Sequence, residues 1–204
     1  MKMSPVFSGI KLSCATFVLT IALILSTTVT NHAQTETSQP TNIATGSYII
    51  PMDNVNQGNA SGTTFNLRAY GLVNHLLHNN IPVKWIIKDG KAMDAADLTG
   101  VSFTRVAGVV GSGSGSNASF VIDAEYAPAA IGFITAYNNL VAGTSDDVVV
   151  YRVTNPILNA PVRYELTHKP YIAVGVDGGN YGSSVNQALF NRAGITSQYY
   201  QAAP

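Results

Sequence analysis

Cysteine is almost absent from this chain, because Cys14 is the only one among its 204 residues. Charged residues are also scarce: they make up 11% of the sequence, and the basic and acidic ones are equal in number. A chain with 46% hydrophobic residues and so little charge is too apolar for a disordered protein. It also lacks the basic excess with which nucleic-acid-binding proteins neutralise phosphates. We therefore predict a folded protein without a nucleic-acid partner.

The motifs of common hydrolases and metal sites are missing as well. The sequence contains neither GxSxG nor HExxH, so hydrolase chemistry has no motif to support it. His75 and His78 lie three residues apart, but zinc needs at least one further ligand and no spacing supplies it. We predict no metal, no cofactor and no catalytic residue, and we favour a non-enzymatic protein over an enzyme.

Residues 1–33 have the features of an export signal. Lys2 and Lys11 are positive, residues 12–25 are mostly apolar, and Ala33 precedes a plausible cleavage point. The alternative is an uncleaved anchor helix, because residues 13–30 are about long enough to span a bilayer. Cleavage would remove Cys14, which excludes disulfides and thiolate ligands from the mature part. We predict export to a secreted, periplasmic or cell-surface location, with membrane contact only through this segment.

The stretch from 48 to 87 gives the strongest indication of local structure. Residues 48–52 and 83–87 read as strands, and between them the apolar side chains recur at steps of three and four residues over 65–79. This spacing predicts an amphipathic helix, which Asn80 and Pro82 terminate. A strand, a helix and a second strand make a βαβ unit, and such units normally build parallel sheets with right-handed crossovers.

Further elements extend this pattern along the chain. Strands are predicted over 119–123, 148–153 and 171–177, and helices over 128–139 and after 183. The predicted fold class is α/β, with three αβα layers around a mostly parallel or mixed sheet built from βαβ units. The predicted domains are a flexible leader over 34–46, an α/β domain over 47–168, and a further βα unit over 169–204. That last unit either completes the sheet or starts a second domain.

Three of the predicted strands end in an acid, at Asp53, Asp123 and Asp177. In open α/β sheets ligands bind beyond the carboxyl ends of the strands, so these carboxylates are candidates to bind a sugar hydroxyl, a cation or an amine. An Asp at a strand end also commonly starts a turn or caps a helix, and that alternative stays open. The full set of candidate ligand-binding residues is Asp53, Asn54, Asp123, Asp177, Gly178, Gly179, Asn180 and Tyr181.

The strand over 171–177, its glycine-rich turn and the helix after it resemble the first βα unit of a flavodoxin-like, Rossmann-like or class I glutamine-amidotransferase-like domain. The resemblance covers about 30 residues and is architectural. Active amidotransferases of that kind use a cysteine on a strand–helix turn, and this chain has no cysteine after Cys14. The resemblance therefore implies a non-catalytic relative or an unrelated Rossmann-like domain.

Together these observations predict an exported, non-enzymatic α/β module that binds a glycan or a protein as part of a larger secreted or surface protein. The alternative is an exported, glycosidase-like hydrolase in which the strand-end carboxylates act, with assistance from His168. That alternative needs two carboxylates about 5–9 Å apart in one cleft.

Overall fold

A computed structural model describes the larger part of the chain. The described residues are 37–57, 65–93, 95–99, 101, 103–106, 112–113, 119–140, 147–175 and 184–203. The chain divides into two compact units, residues 1–35 and 36–204, and every described residue belongs to the second unit. The predicted export signal and the candidate residues Asp177, Gly178, Gly179, Asn180 and Tyr181 lie outside the described residues.

Ten strands and four α-helices form within these residues. The strands are β1 (Gln39–Ile43), β2 (Tyr48–Ile50), β3 (Val83–Ile86), β4 (Phe103–Arg105), β5 (Ser112–Gly113), β6 (Phe120–Ile122), β7 (Tyr151–Val153), β8 (Ile157–Leu166), β9 (Ile172–Gly175) and β10 (Tyr200–Ala203). The helices are α1 (Asn54–Gln57), α2 (Arg68–His78), α3 (Ala127–Asn139) and α4 (Ser184–Arg192), and Ser197–Tyr199 forms a short 3₁₀-helix.

Eight of the strands form one sheet in the order β1-β8-β3-β6-β2-β7-β4-β5. Every neighbouring pair in this sheet is antiparallel. The predicted three-layer αβα fold with a mostly parallel or mixed sheet is therefore wrong. The resemblance to Rossmann-like, flavodoxin-like and amidotransferase-like domains is wrong for the same reason, because those folds need a parallel sheet.

The error has a specific topological cause. The predicted βαβ unit exists locally, since β2 and β3 run in the same direction and α2 connects them. However, β6 inserts between them and pairs antiparallel with both. In the same way β2 lies between β6 and β7, which α3 connects. The result is two interlocked split β-α-β units, in which each crossover leaves room for a strand from the other.

The β1–β8 pair at one end of the sheet and the β2–β7 pair farther along it belong to one long antiparallel ribbon. β1 continues into β2 and β7 into β8 through short bends. Between the two strand pairs, Gly46 N–H donates to Val153 O at 2.9 Å, and Val153 N–H donates to Ser47 O at 2.9 Å. Residues 39–50 and 151–162 thus pair along almost their whole length, yet one half of the ribbon flanks β3 and the other flanks β6. The sheet is accordingly curled into a half-barrel.

Both faces of the sheet are buried. On one face α2 and α3 cover a core that includes Ile50, Leu72, Leu76, Val83, Phe120, Ile122, Ile134 and Val150. The other face has its own core, which includes Ile43, Ile49, Ile86, Val121, Val149, Tyr151, Val153 and Val162. Neighbours such as Ile49 and Ile50 belong to different cores, as the alternation of side chains along a strand requires. This double burial explains the apolar runs that made the strands look like members of a parallel sheet.

The β-rich run at 148–153 is a strand only from 151 onward. Before that point, side-chain amides replace the strand partners. Gln57 Nε2 donates to Val149 O at 2.9 Å and Val149 N–H donates to Gln57 Oε1 at 2.7 Å. Asn138 holds Val148 in the same two-way manner, with both distances at 2.9 Å. Buried backbone groups need partners of some kind, and here two side chains supply them.

Two further segments complete the described fold. β1 lies inside the stretch predicted as a flexible leader, and its polar residues suit an edge strand in which only Ile43 is buried. β9 and β10 pair in parallel with each other as a separate two-stranded sheet, and α4 connects them. Among the described residues, no helix is long and apolar enough to cross a membrane.

Candidate functional site

The site is built on one stripe of helix α2. The stripe consists of Tyr70, Val73, Asn74 and Leu77. Val73 and Asn74 each lie three or four residues from both Tyr70 and Leu77, so the four side chains lie on one side of the helix. This stripe continues beyond the apolar face that packs on the sheet. It faces the end of β8 and the chain that follows β8, and the gap between these segments forms a cavity.

The cavity has a volume of about 360 Å³. Its lining residues are Tyr70, Val73, Asn74, Leu77, Glu165, Leu166, Thr167, His168, Pro170, Ile172 and Ile195. Most of the wall is apolar, and only a few polar groups interrupt it. Clefts of roughly 300–1,000 Å³ with this composition are the usual form of small-ligand sites in proteins.

Asn74 is the polar group that the fold leaves unsatisfied inside this wall. Its side chain is only 6% exposed, and its Oδ1 atom has no hydrogen-bond partner among the described residues. A buried acceptor without a partner costs about 1–3 kcal/mol. The oxygen is covered by neighbouring atoms, so this cost falls on the fold itself.

The rim of the cavity is polar. Glu165, Thr167 and His168 are exposed, and the Thr167 hydroxyl lies 3.2 Å from His168 Nδ1. Tyr70 forms the opposite rim, with 47% of its surface exposed, and its ring contacts Phe65 edge-on at 5.8 Å. Among the described residues, the lining contains one carboxylate and no lysine or arginine, so its charge does not favour an anionic ligand.

His78, at the C-terminal end of α2, contacts the segments on the far side of the cavity. His78 Nε2 donates to Pro170 O at 2.9 Å, so this ring nitrogen carries the proton. The His78 ring stacks on Tyr199 at 4.0 Å and contacts Tyr171 edge-on at 5.3 Å. These contacts attach both sides of the C-terminal β-α-β unit to the helix that carries the inner wall.

A second junction lies at Gly71. The Tyr137 hydroxyl donates to Ala193 O at 2.7 Å, and burial raises the pKa of Tyr137 to about 12. A Cβ atom on Gly71 would lie 1.6 Å from Ala193 O, so only glycine allows this approach of the chain after α4.

Burial, together with the charge of the nearby His78, lowers the pKa of His75.

The three described candidate residues from the sequence do not line this cavity. Asp53 caps α1, because its Oδ1 accepts from the backbone N–H groups of Val55 and Asn56 at 3.0 and 2.8 Å. Asn54 is exposed in the same helix. Asp123 forms an ion pair with Lys84.

The antiparallel register also separates the two described carboxylates. Ile122 pairs with Tyr48 at the start of β2, whereas Asp53 follows the end of β2. Asp123, the next residue after Ile122, therefore lies at the opposite end of the strand pair from Asp53. The expected crevice of strand-end acids assumed a parallel sheet, in which such ends meet on one edge.

No metal centre is evident in the part of the chain that the structure describes, since it contains no group of three His, Asp, Glu or Cys side chains able to hold an ion. The ring of His75 packs against Phe133 and Tyr137, and His78 bonds to the backbone. Both histidines therefore act as packing residues between segments.

The sequence pattern did not identify the cavity residues. Asn74 is polar, so it is not one of the apolar residues whose spacing predicted the helix. Its position four residues after Tyr70 and three before Leu77 nevertheless places it within an otherwise apolar stripe. No feature of the sequence indicated that Glu165 and Thr167 line a cavity, because the cavity arises only when β8 packs beside α2.

The chain was compared with known proteins at three levels. No protein-family model, no curated protein and no solved structure matches it.

Proposed function

We propose that this chain is an exported, non-enzymatic binding module that takes part of a glycan or of a protein into the cavity beside α2. The single observation that supports binding is a largely apolar cavity of about 360 Å³ with a polar, exposed rim. A module that only spaced other domains apart would need no such cavity. Support for export comes from the sequence of residues 1–33 alone.

No second function is proposed. A glycosidase needs two carboxylates in one cleft, and the register separates Asp53 from Asp123, the two strand-end acids that the structure describes. His168 lies at the cavity rim, where its described partner is Thr167. A rim of this kind contacts a ligand without supplying a nucleophile.

Binding is tested by thermal unfolding of the full chain with a panel of soluble sugars and short peptides. A ligand that binds only the folded state raises the melting temperature, and the stabilisation grows as RT ln(1 + [L]/Kd). We expect one class of ligand to do so. Thr167→Trp should block the cavity and remove the shift, because Thr167 lines the cavity yet is exposed.

Thr135→Trp is the matched control, since Thr135 is exposed on α3 and does not line the cavity. It should leave the shift unchanged. If no compound raises the melting temperature, or if the shift survives in Thr167→Trp, the cavity is not a binding site. Export is tested separately by fusing residues 1–33 to a reporter enzyme and measuring the reporter outside the cytoplasm. A reporter that stays inside contradicts export.

A further inference from the structure

Strand β8 is longer than the strands on either side of it, and part of its outer edge has no strand partner. β1 pairs with β8 only between Ile157 and Val162. Just before β1, the Ser38 N–H donates to the Asp89 side chain at 2.7 Å instead of to β8. Residues 163–166 lie beside β3, but no strand in the described part of the chain pairs with their other side. We call this stretch the open edge of β8.

The open edge presents backbone groups that suit another strand. In an antiparallel pair, alternate residues point their N–H and C=O groups away from the partner strand. About two of the four residues at 163–166 therefore direct these groups outward, and Tyr164 and Glu165 are exposed. Such a row of groups is a template for an extended chain from another molecule. A glycan has no backbone of this kind with which to pair.

The cavity lies on the face of the sheet to which an added strand would point its side chains. Leu166 lines the cavity and packs against the core beneath α2, so its side chain is on the α2 face of the sheet. Neighbouring residues on adjacent strands point their side chains to the same face. A residue opposite Leu166 would therefore point toward the apolar wall that Val73, Leu77 and Ile172 provide. An apolar side chain at that position would fill the cavity.

The next position along the open edge carries a charge that favours a basic residue in the partner. Glu165 is exposed and makes no ion pair with a described residue. Its neighbour on β3, Lys84, pairs with Asp123 instead. A lysine or arginine opposite Glu165 on an added strand would complete the pair, because opposite charges on facing strands attract each other.

Resting on the proposed binding function, we propose that a partner protein docks as an extended segment on the open edge of β8, with one apolar side chain in the cavity and an adjacent basic side chain at Glu165. The occupant is a protein because the edge offers hydrogen bonds to a backbone. The cavity accepts apolar side chains of different shapes, and the edge and the carboxylate set the position of the segment.

The test uses the full chain and three short, blocked peptides. The first alternates threonine with valine and has a leucine followed by a lysine at its centre. The second has alanine in place of the leucine, and the third carries methyl groups on its central backbone nitrogens. Dissociation constants are measured by NMR chemical-shift changes. We expect the second and third peptides each to bind about tenfold more weakly, through loss of apolar burial and of about two backbone hydrogen bonds respectively.

Amide hydrogen exchange of the unaltered protein locates the bound peptide. With the first peptide near saturation, about two of the four amides at 163–166 should exchange about tenfold more slowly, because they become hydrogen-bonded. Thr167→Trp fills the cavity and should weaken binding of the first peptide about tenfold. Thr135→Trp, which is exposed on α3 and away from the cavity lining, is the matched control and should leave binding unchanged.

Equal binding of the first and third peptides, or unchanged exchange at 163–166, would overturn the inference. Slow exchange there without peptide, together with a mass that doubles as the protein is concentrated, would overturn it in favour of a second copy of the chain. Stabilisation by a sugar that Thr167→Trp abolishes, with no binding of the peptides, would refute the protein partner and leave the binding module intact. If neither the peptides nor any sugar binds, the proposed function fails as well.

Discussion

The amide of Gln57 offers a sharp test of how this sheet is held together. Its side chain is 0% exposed and forms three hydrogen bonds to backbone groups. Two of them pair with Val149, and the third donates to Pro51 O at 3.3 Å. Gln57→Leu keeps much of the side-chain volume but removes every one of these bonds.

The expected cost follows from the groups that remain. The N–H and C=O of Val149 stay buried after the substitution, and the loss of Gln57 takes away the partner of each. A buried polar group left unpaired costs about 1–3 kcal/mol, so the pair together should lower the free energy of unfolding by about 2–6 kcal/mol. For a domain of this size that corresponds to a fall in melting temperature of roughly 4–24 °C.

The assay is denaturant and thermal unfolding of both proteins followed by circular dichroism. Gln198→Leu is the matched control, because Gln198 is exposed in the 3₁₀-helix, and it should change the melting temperature little. A fall of less than about 0.5 kcal/mol in Gln57→Leu would refute the reasoning, since surface substitutions produce effects of that size. It would mean that Val149 does not depend on this amide.

Three other predictions concern the contacts around α2. Gly71→Ala should lower the melting temperature, because the new Cβ would overlap Ala193 O. The control Gly132→Ala should be neutral or slightly stabilising, because a Cβ at Gly132 meets open space. Equal effects of the two substitutions would contradict the close approach of Ala193 to Gly71. Burial is the main cause that lowers the pKa of His75, so the unfolded chain binds the proton first as the pH falls, and the free energy of unfolding decreases below about pH 6.5. His75→Gln should reduce this dependence of the free energy of unfolding on pH. An unchanged dependence would exclude His75 as its source. Burial raises the pKa of Tyr137 to about 12, so the unfolded chain ionises first as the pH rises, and the free energy of unfolding should fall between about pH 10 and 12. In Tyr137→Phe, which lacks the hydroxyl, this fall should be absent.

The local elements could be predicted from the sequence because short-range patterns determine them. Helix α2 appears at 68–78 where apolar residues recur at helical steps over 65–79, and α3 appears at 127–139 where a proline begins an apolar segment. Strands β2, β3 and β6 lie within the predicted runs. In each case the information lies within about 15 neighbouring residues.

The sheet could not be predicted in this way, because strand pairing is a long-range property. A β-α-β sequence has the same local pattern whether its two strands are neighbours or leave space for a third. Here β6 follows β3 by more than 30 residues and still inserts between β2 and β3. Burial of both faces then hid the alternation that identifies many antiparallel strands.

Asn74 offers a last test of what an unpaired buried group costs. The Oδ1 atom of its side chain is buried without a hydrogen-bond partner among the described residues. A leucine at position 74 would remove this oxygen, whose burial costs about 1–3 kcal/mol, and would add apolar contact. Asn74→Leu should therefore be as stable in thermal unfolding as the unaltered chain, or more so. A loss of stability would mean that the Asn74 side chain supports the fold and that its oxygen is not an unfavourable group in the folded chain.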